Sequence, residues 1–344
     1  MFKIGLILLV FLSFVSCSDE VMEPLEKDEV YNLSFPSYFP EMTFDTSGNP
    51  VTKNGVELGR KLFYEGRLSR NNTISCGFCH IQENAFTHHG HTVSHGVDDR
   101  IGIRNAPPIQ NMAFLKRYMW DGVIHNLNEQ PIIPITNEDE MDSSMSEVIS
   151  KLSSDPKYKK LFKSAYGDEN MTGDRVLKAL SQFMATMISA DSKYDRVKQG
   201  RENFSSEEAK GMNLFQQKCT SCHSGELFTD ESFRNTGMYY NMQFKDAGRY
   251  RVTLDQNDWM KFRVPSLRNV EYTAPYMHDG RFYTLDAVLN FYSDNVEDNP
   301  NLDPQLNQNG HVGIAMNAQE KQFIIAFLRT LSDKNFVSNP KFAE

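Results

Sequence analysis

The chain has 344 residues, a net charge of −9, 24% charged residues, 5 cysteines and 9 histidines. The acidic balance argues against nucleic acid and against electrostatic adhesion to anionic lipid as partners. No stretch after residue 17 is apolar enough to cross a bilayer.

In chain order, residues 1–17 read as a lipoprotein signal peptide. Lys3 precedes an apolar run from Ile4 to Val15 that is too short to span a membrane. Phe14-Val15-Ser16-Cys17 resembles a lipobox, although Leu is more usual where Phe14 stands. Cleavage there would leave Cys17 as a lipidated N-terminus; the plainer alternative is a secretion signal whose Cys is incidental. Either way the expected location is the bacterial envelope, periplasmic or cell-surface. Residues 18–48 are acidic, contain Pro and show no period, so they read as a tether.

Beyond the tether the patterning is helical. Val56–Tyr64 and Glu207–Gln217 place apolar residues at three- and four-residue intervals, each ahead of a cysteine motif. Val176–Ile188 predicts an amphipathic helix with Val176, Leu177, Leu180, Phe183, Met184, Met187 and Ile188 on one face. Ala318–Leu331 predicts another, with Phe323, Ile324, Phe327, Leu328 and Leu331 inward. Ser205 followed by Glu208 predicts a capping box.

The motifs are Cys76-Gly77-Phe78-Cys79-His80 and Cys219-Thr220-Ser221-Cys222-His223. CxxCH is the attachment pattern of haem c: two thiols add to the vinyl groups and the adjacent His ligates iron. Zinc also binds CxxC pairs but does not require a His after each second Cys. The pattern therefore predicts two covalently bound haems, one on Cys76, Cys79 and His80 and the other on Cys219, Cys222 and His223. No disulfide framework is left to build, and covalent haem fits an exported chain.

The two halves echo each other further. Gly59-x-x-Leu62-Phe63 and Gly211-x-x-Leu214-Phe215 precede the motifs, and Phe86-Thr87 and Phe228-Thr229 follow them. Pro107-x-Ile109-x-Asn111 leads to Tyr118-Met119-Trp120-Asp121-Gly122, as Pro265-x-Leu267-x-Asn269 leads to Tyr276-Met277-His278-Asp279-Gly280. The economical account is internal duplication of one haem-binding unit. The expected fold is mainly α, with two cytochrome c-like haem domains at 49–195 and 196–335. Equal steps from Trp120 and His278 reach Pro134 and Tyr292. A Tyr phenolate can ligate iron, and Pro has no ligating atom. If this position overhangs the iron, the second haem is closed by Tyr292 and the first is open to peroxide. The alternative for Tyr292 is a core aromatic, sharing a helix with Leu289 and Phe291.

Leu68-Ser69, the two CxxCH motifs, Arg104-Asn105-Ala106-Pro107, Trp120-Asp121-Gly122, Glu129-Gln130, Glu140-Met141 and Pro265-Ser266-Leu267-Arg268-Asn269 stand in an order that resembles the bacterial di-haem cytochrome c peroxidases, including their MauG branch. The resemblance spans roughly residues 50–335. It implies that Trp120 lies between the haems and carries electrons or holes. Gln130 and Glu140 would sit over the open iron, Gln130 orienting peroxide and Glu140 moving its proton. Read alone, Glu140 belongs to an acidic run, Glu138-Asp139-Glu140, that any solvated loop could carry. Asn105, with the carbonyls of Thr273 and Pro275, would hold Ca²⁺ between the domains. His95-Gly96 matches the pair that caps the peroxidatic iron in the resting peroxidases, although His88, His89 and His91 crowd the same loop.

Tyr292 departs from the peroxidases, which carry Met there, and agrees with MauG. A phenolate favours ferric and higher states and a thioether favours ferrous iron; Met277 and Met260 are the fallback ligands. Three functions follow. The first is a peroxidase reducing hydrogen peroxide with electrons from a small redox protein or other donor. The second is a MauG-like oxidase of a protein or other large reductant. The third is a non-catalytic di-haem electron carrier. The family is often dimeric, so a homodimer is an expectation.

Overall fold

The computed structural model describes residues 28–308 and 310–344. The expected signal peptide with Cys17, and residues 18–27, lie outside the described residues.

The helices in order are α1 (Lys53–Phe63), α2 (Cys76–Cys79), α3 (Ile132–Thr136), α4 (Met145–Ser153), α5 (Pro156–Tyr166), α6 (Gly173–Thr186), α7 (Lys193–Lys198), α8 (Ser206–Lys218), α9 (Tyr250–Thr253), α10 (Leu285–Asp294), α11 (Ala318–Arg329) and α12 (Lys334–Val337). Strand content is two small antiparallel pairs, β1 (Phe233–Arg234) with β2 (Phe262–Arg263) and β3 (Asn307–Gln308) with β4 (His311–Val312). No described helix is long and apolar enough to cross a membrane.

The main helices start where side chains satisfy their free N–H groups. Thr52 caps α1 and Thr172 caps α6, each accepting from the backbone N–H three residues on. Ser205 and Glu208 form the expected capping box on α8, and Asn317 and Glu320 form one on α11.

Two helix crossings organise the molecule, α1 on α6 and α8 on α11. Both are so close that glycine alone fits. A Cβ on Gly59 would lie 1.9 Å from the Ala179 carbonyl oxygen, and one on Gly211 would lie 1.9 Å from that of Phe323. In each crossing the next obstacle is a phenylalanine Cβ at 2.9 Å, Phe183 or Phe327. Around the first crossing, Leu58, Leu62, Phe63, Phe86, Leu180 and Phe183 are buried in one cluster. Phe215, Phe228, Ile324, Phe327 and Leu331 form a smaller cluster around the second.

The loops correspond as closely. Asn111 donates its backbone N–H to the Met187 carbonyl at 2.8 Å, and Asn269 donates to that of Leu331 at 3.0 Å. The Asn111 amide oxygen accepts from Ser189 N at 2.9 Å, and that of Asn269 from Asp333 N at 2.7 Å. Tyr118 and Tyr276 each turn a hydroxyl back onto the short helical turn that follows those asparagines.

The units meet through a reciprocal backbone pair. Asn105 N donates to the His278 carbonyl at 2.7 Å, and Arg263 N donates to the Trp120 carbonyl at 2.8 Å. Beside this junction Arg268 and Asp195 form a bidentate pair at 2.9 Å with both side chains 0% exposed.

Three expected boundaries differ from the structure. Residues 28–48 are packed, not a free tether. Phe39 and Phe44 are buried, Phe39 and Phe114 meet edge to face at 5.4 Å, and the Tyr38 hydroxyl donates to Asp195. The aromatics in this acidic stretch supply the burial that its irregular pattern concealed. The expected boundary after residue 195 falls inside α7, where Tyr194 already packs against Phe228 and Phe327 of the second cluster. The second expected domain ends at residue 335. Phe336 and Phe342 instead enter the first cluster, stacking edge-on with Phe86 at 5.6 and 6.2 Å.

Candidate functional site

Each CxxCH motif lies just after its glycine helix, and a tight loop fixes its histidine. The loop residues Phe86 and Phe228 have φ of +60° and +54°. This conformation turns each carbonyl back toward the motif. His80 Nδ1–H donates to the Phe86 carbonyl at 2.7 Å, and His223 Nδ1–H donates to that of Phe228 at 3.0 Å. The carbonyl accepts only, so the tautomer is set and Nε2 is left with its lone pair for a metal. Burial pushes both imidazoles down in pKa, which keeps them neutral. Burial pushes the thiols of Cys76, Cys79, Cys219 and Cys222 up instead. These residues fit two covalent haems.

One cavity opens on Cys76, Cys79 and His80 and is walled by Leu180 and Met184 of α6. The structure brings Gln130, Pro134, Glu140 and His95 to this cavity. Gln130 follows a short 3-10 turn that Asn126 caps, and Pro134 lies within α3. Glu138 and Asp139 are exposed while Glu140 turns in, so the acidic run divides. Asn137 Nδ2 donates to Glu140 Oε1 at 3.2 Å. Burial raises the Glu140 carboxyl above the ordinary glutamate range, against a smaller lowering by that hydrogen bond.

The His95 loop is fastened to the same backbone. Val97 N donates to the Glu140 carbonyl at 2.8 Å, and a Cβ on Gly96 would lie 2.4 Å from that oxygen. The His95 ring shares a hydrogen bond with His91 at 3.2 Å, and His88 stacks on His91 at 4.3 Å. His89 instead contacts Asn84.

The second cavity opens on Cys219, Cys222 and His223 and is walled by Ile324 and Leu328 of α11. Tyr292 projects into it from α10. Burial pushes its phenol well above the usual range, and the facing thiols add to the effect. Of the fallback residues, Met277 lines this cavity and Met260 does not. The cavity runs to the junction between the units, where Trp120, Asn105, Thr273 and Pro275 line it. Trp120 Nε1 donates to the Asn105 carbonyl at 2.9 Å. The Asn105 Nδ2 group donates to the Thr92 carbonyl at 3.1 Å. Among the described residues no cluster of three His, Cys, Asp or Glu could hold a further metal ion. An oxygen site built from an amide and carbonyls is of another kind.

Two features here received no role from the sequence. His278, buried and pushed down to about 4 by its burial, stacks on Phe262 at 3.7 Å and 11°. Arg263 also lines the second cavity. The repeat held the signal for it, because Arg263 stands before Pro265 as Asn105 stands before Pro107.

The comparisons with known proteins agree with this geometry. The family model described as di-haem cytochrome c peroxidase matches residues 53–203. The chain is 35% identical over 304 residues to the methylamine utilization protein MauG of Methylorubrum extorquens, covering 85% of this chain and 82% of that protein. It is 34% identical to the cytochrome c551 peroxidase of Nitrosomonas europaea, with 82% and 81% covered. The crystal structure of a MauG-like protein associated with microbial copper homeostasis superposes with a TM-score of 0.81 at 32% identity, over 91% of this chain and 99% of that one. The chain belongs to the di-haem cytochrome c peroxidase family.

Proposed function

We propose that this protein reduces hydrogen peroxide to water, with two electrons from an external redox donor and two protons, and that its two haem units divide the work. The observation that carries the reading is the difference at one repeated position. Pro134 stands in the His80 cavity with nothing to offer a metal, and Tyr292 stands in the His223 cavity with a phenol.

Cys76, Cys79 and His80 would hold a haem supplying an iron able to accept peroxide, and Cys219, Cys222 and His223 a haem that Tyr292 would close. Around the first, Gln130 orients peroxide through its amide. Glu140 takes the proton from one peroxide oxygen and returns it to the leaving oxygen. Burial, which raises its carboxyl above the ordinary glutamate range, helps it hold as well as release a proton. Asn137 holds Glu140 in place. Trp120, bonded through its indole to Asn105 and through its carbonyl to Arg263, offers the route for electrons between the units. Asn105 with the carbonyls of Thr273 and Pro275 holds Ca²⁺ beside that route. His95, which lines the same cavity and shares a hydrogen bond with His91, would serve as the resting cap of the first site.

A second reading, MauG-like oxidation of a protein or other large reductant, is favoured by Tyr292. An anionic oxygen donor lowers the potential of the second haem, which makes ordinary cytochrome donors poor reductants. The matched glycines, the corresponding asparagine bonds and the reciprocal junction support internal duplication of a single unit. Export with a lipid anchor at Cys17, in the periplasm or at the cell surface, and a homodimer complete the proposal.

The test is Glu140→Gln. Peroxide turnover should collapse while both haems stay attached, and unchanged turnover would remove Glu140 from the mechanism. Near-infrared magnetic circular dichroism of the half-reduced protein should show an oxygen ligand on the second haem and a vacancy at the first. Two permanently closed haems would leave only an electron carrier.

A further inference from the structure

Arg263 is 8% exposed, and its charge is not neutralised by any acidic side chain described. Its Nε donates to the Met119 carbonyl at 3.4 Å, while its Nη1 has no partner. Other buried or half-buried guanidiniums are treated differently. Arg104 is paired with Asp246 and Asp121, Arg268 with Asp195, and Arg234 with Asp230 and Asp303. Glu231, the acid whose charge reaches Arg263, spends its carboxylate on the backbone N–H groups of Lys116 and Arg117 at 2.9 and 3.3 Å. Burial accordingly works against the Arg263 charge. A buried guanidinium with an idle donor is costly unless an anion meets it.

The cavity that Arg263 lines identifies the anion. It holds Cys219, Cys222, His223 and Tyr292, and extends to Trp120. A haem tied there through its vinyl-derived thioethers carries two propionate carboxylates on another edge of the ring. A planar guanidinium is well suited to a carboxylate. The backbone of Arg263 is already bound to the Trp120 carbonyl, so this charge sits where the second haem and Trp120 meet. The repeat-related residue in the first unit, Asn105, is neutral.

We propose that Arg263 is the counter-charge for a propionate of the haem on Cys219, Cys222 and His223, positioning that haem against Trp120 and raising its reduction potential. The inference rests on the two-haem reading and adds a positioning residue to it. A fixed positive charge favours the reduced state, which partly offsets the effect of an anionic Tyr292 ligand.

The test uses the holoprotein with both haems, as wild type, Arg263→Gln and Arg263→Lys. Haem is labelled with ¹³C at the propionate carboxyls. Spectroelectrochemical titration should find that Arg263→Gln raises the oxidised-to-reduced ratio of the second haem at least tenfold at fixed potential, which is 59 mV for one electron. Arg263→Lys should restore most of the shift, and added acetate should change neither variant. The labelled carboxylate band should mark a paired propionate in wild type and lose that signature in Arg263→Gln. An unchanged potential and band in an Arg263→Gln protein with two haems would overturn the proposal. If that variant fails to mature, a wild-type band typical of a free, solvated carboxylate would overturn it instead. One haem per wild-type chain by pyridine haemochrome would sink the two-haem reading itself.

Discussion

The two haem units share a skeleton and differ in what they put inside it. Gly59 and Gly211 admit the facing helix to the same distance, and His80 and His223 are held by the same loop conformation. Against this match, the first cavity receives Gln130, Pro134 and Glu140, while the second receives Tyr292 and Arg263. Backbone geometry thus sets where a haem sits, and a few side chains on its far wall decide what its iron can do. One cavity holds a buried carboxyl beside Gln130, His95 and Pro134; the other holds a phenol and a guanidinium.

Experiments can press on that contrast. The largest effect is expected from Glu140→Gln, which should lower peroxide turnover by about 10²–10⁴-fold, read in steady-state assays, with the spectrum of the second haem unchanged. Equal loss from a change confined to the second cavity would blur the division of labour.

Next comes Arg268→Met at the junction. Leaving Asp195 buried without its partner should cost about 3–5 kcal/mol in denaturant unfolding. Burial alone would raise the Asp195 carboxyl, but the Arg268 bonds and charge hold it below the usual range. Its pairing therefore stabilises the fold above the unfolded-state pKa of about 3.9, and the contribution fades as pH falls through the lower folded value. Arg268→Met should flatten that acid limb.

Gly59→Ala and Gly211→Ala should each cost about 1–3 kcal/mol, because a methyl group meets backbone rather than a movable side chain. Similar losses would affirm the structural match; a loss in one unit alone would break it. Tyr292→Met should raise the potential of the second haem and widen the range of donors accepted, as seen by redox titration. The smallest effect concerns pH. The ionised Glu140 is the base, so its raised pKa should place the acid limb of turnover above the usual glutamate value of about 4.3.

The cysteine spacing made both attachment sites legible, since thiols and histidine must be adjacent to hold one macrocycle. Helix phase made α1, α6, α8 and α11 legible, because apolar residues at three- and four-residue steps have one face to bury. Pro134 and Tyr292 could be placed in their cavities by counting along the repeat. Glu140 was less visible: its acidic neighbours are solvated, and the turn that separates them depends on contacts with the distant His95 loop. Phe39 and Phe342 were hidden for a related reason. Each lies in a stretch with no period, and its burial comes from long-range docking on the first core. Arg263 could be found only by its place in the repeat, and only the surrounding structure reveals that no acid forms an ion pair with it among the described residues.

The return of Phe336 and Phe342 to the first core has a consequence for biogenesis. These rings back Phe86, whose carbonyl orients His80. They also follow the entire second unit in the order of synthesis. An emerging polypeptide therefore exposes its first CxxCH motif early yet finishes the wall behind it late. The packing behind His80 is complete only once residues beyond the second unit have been made.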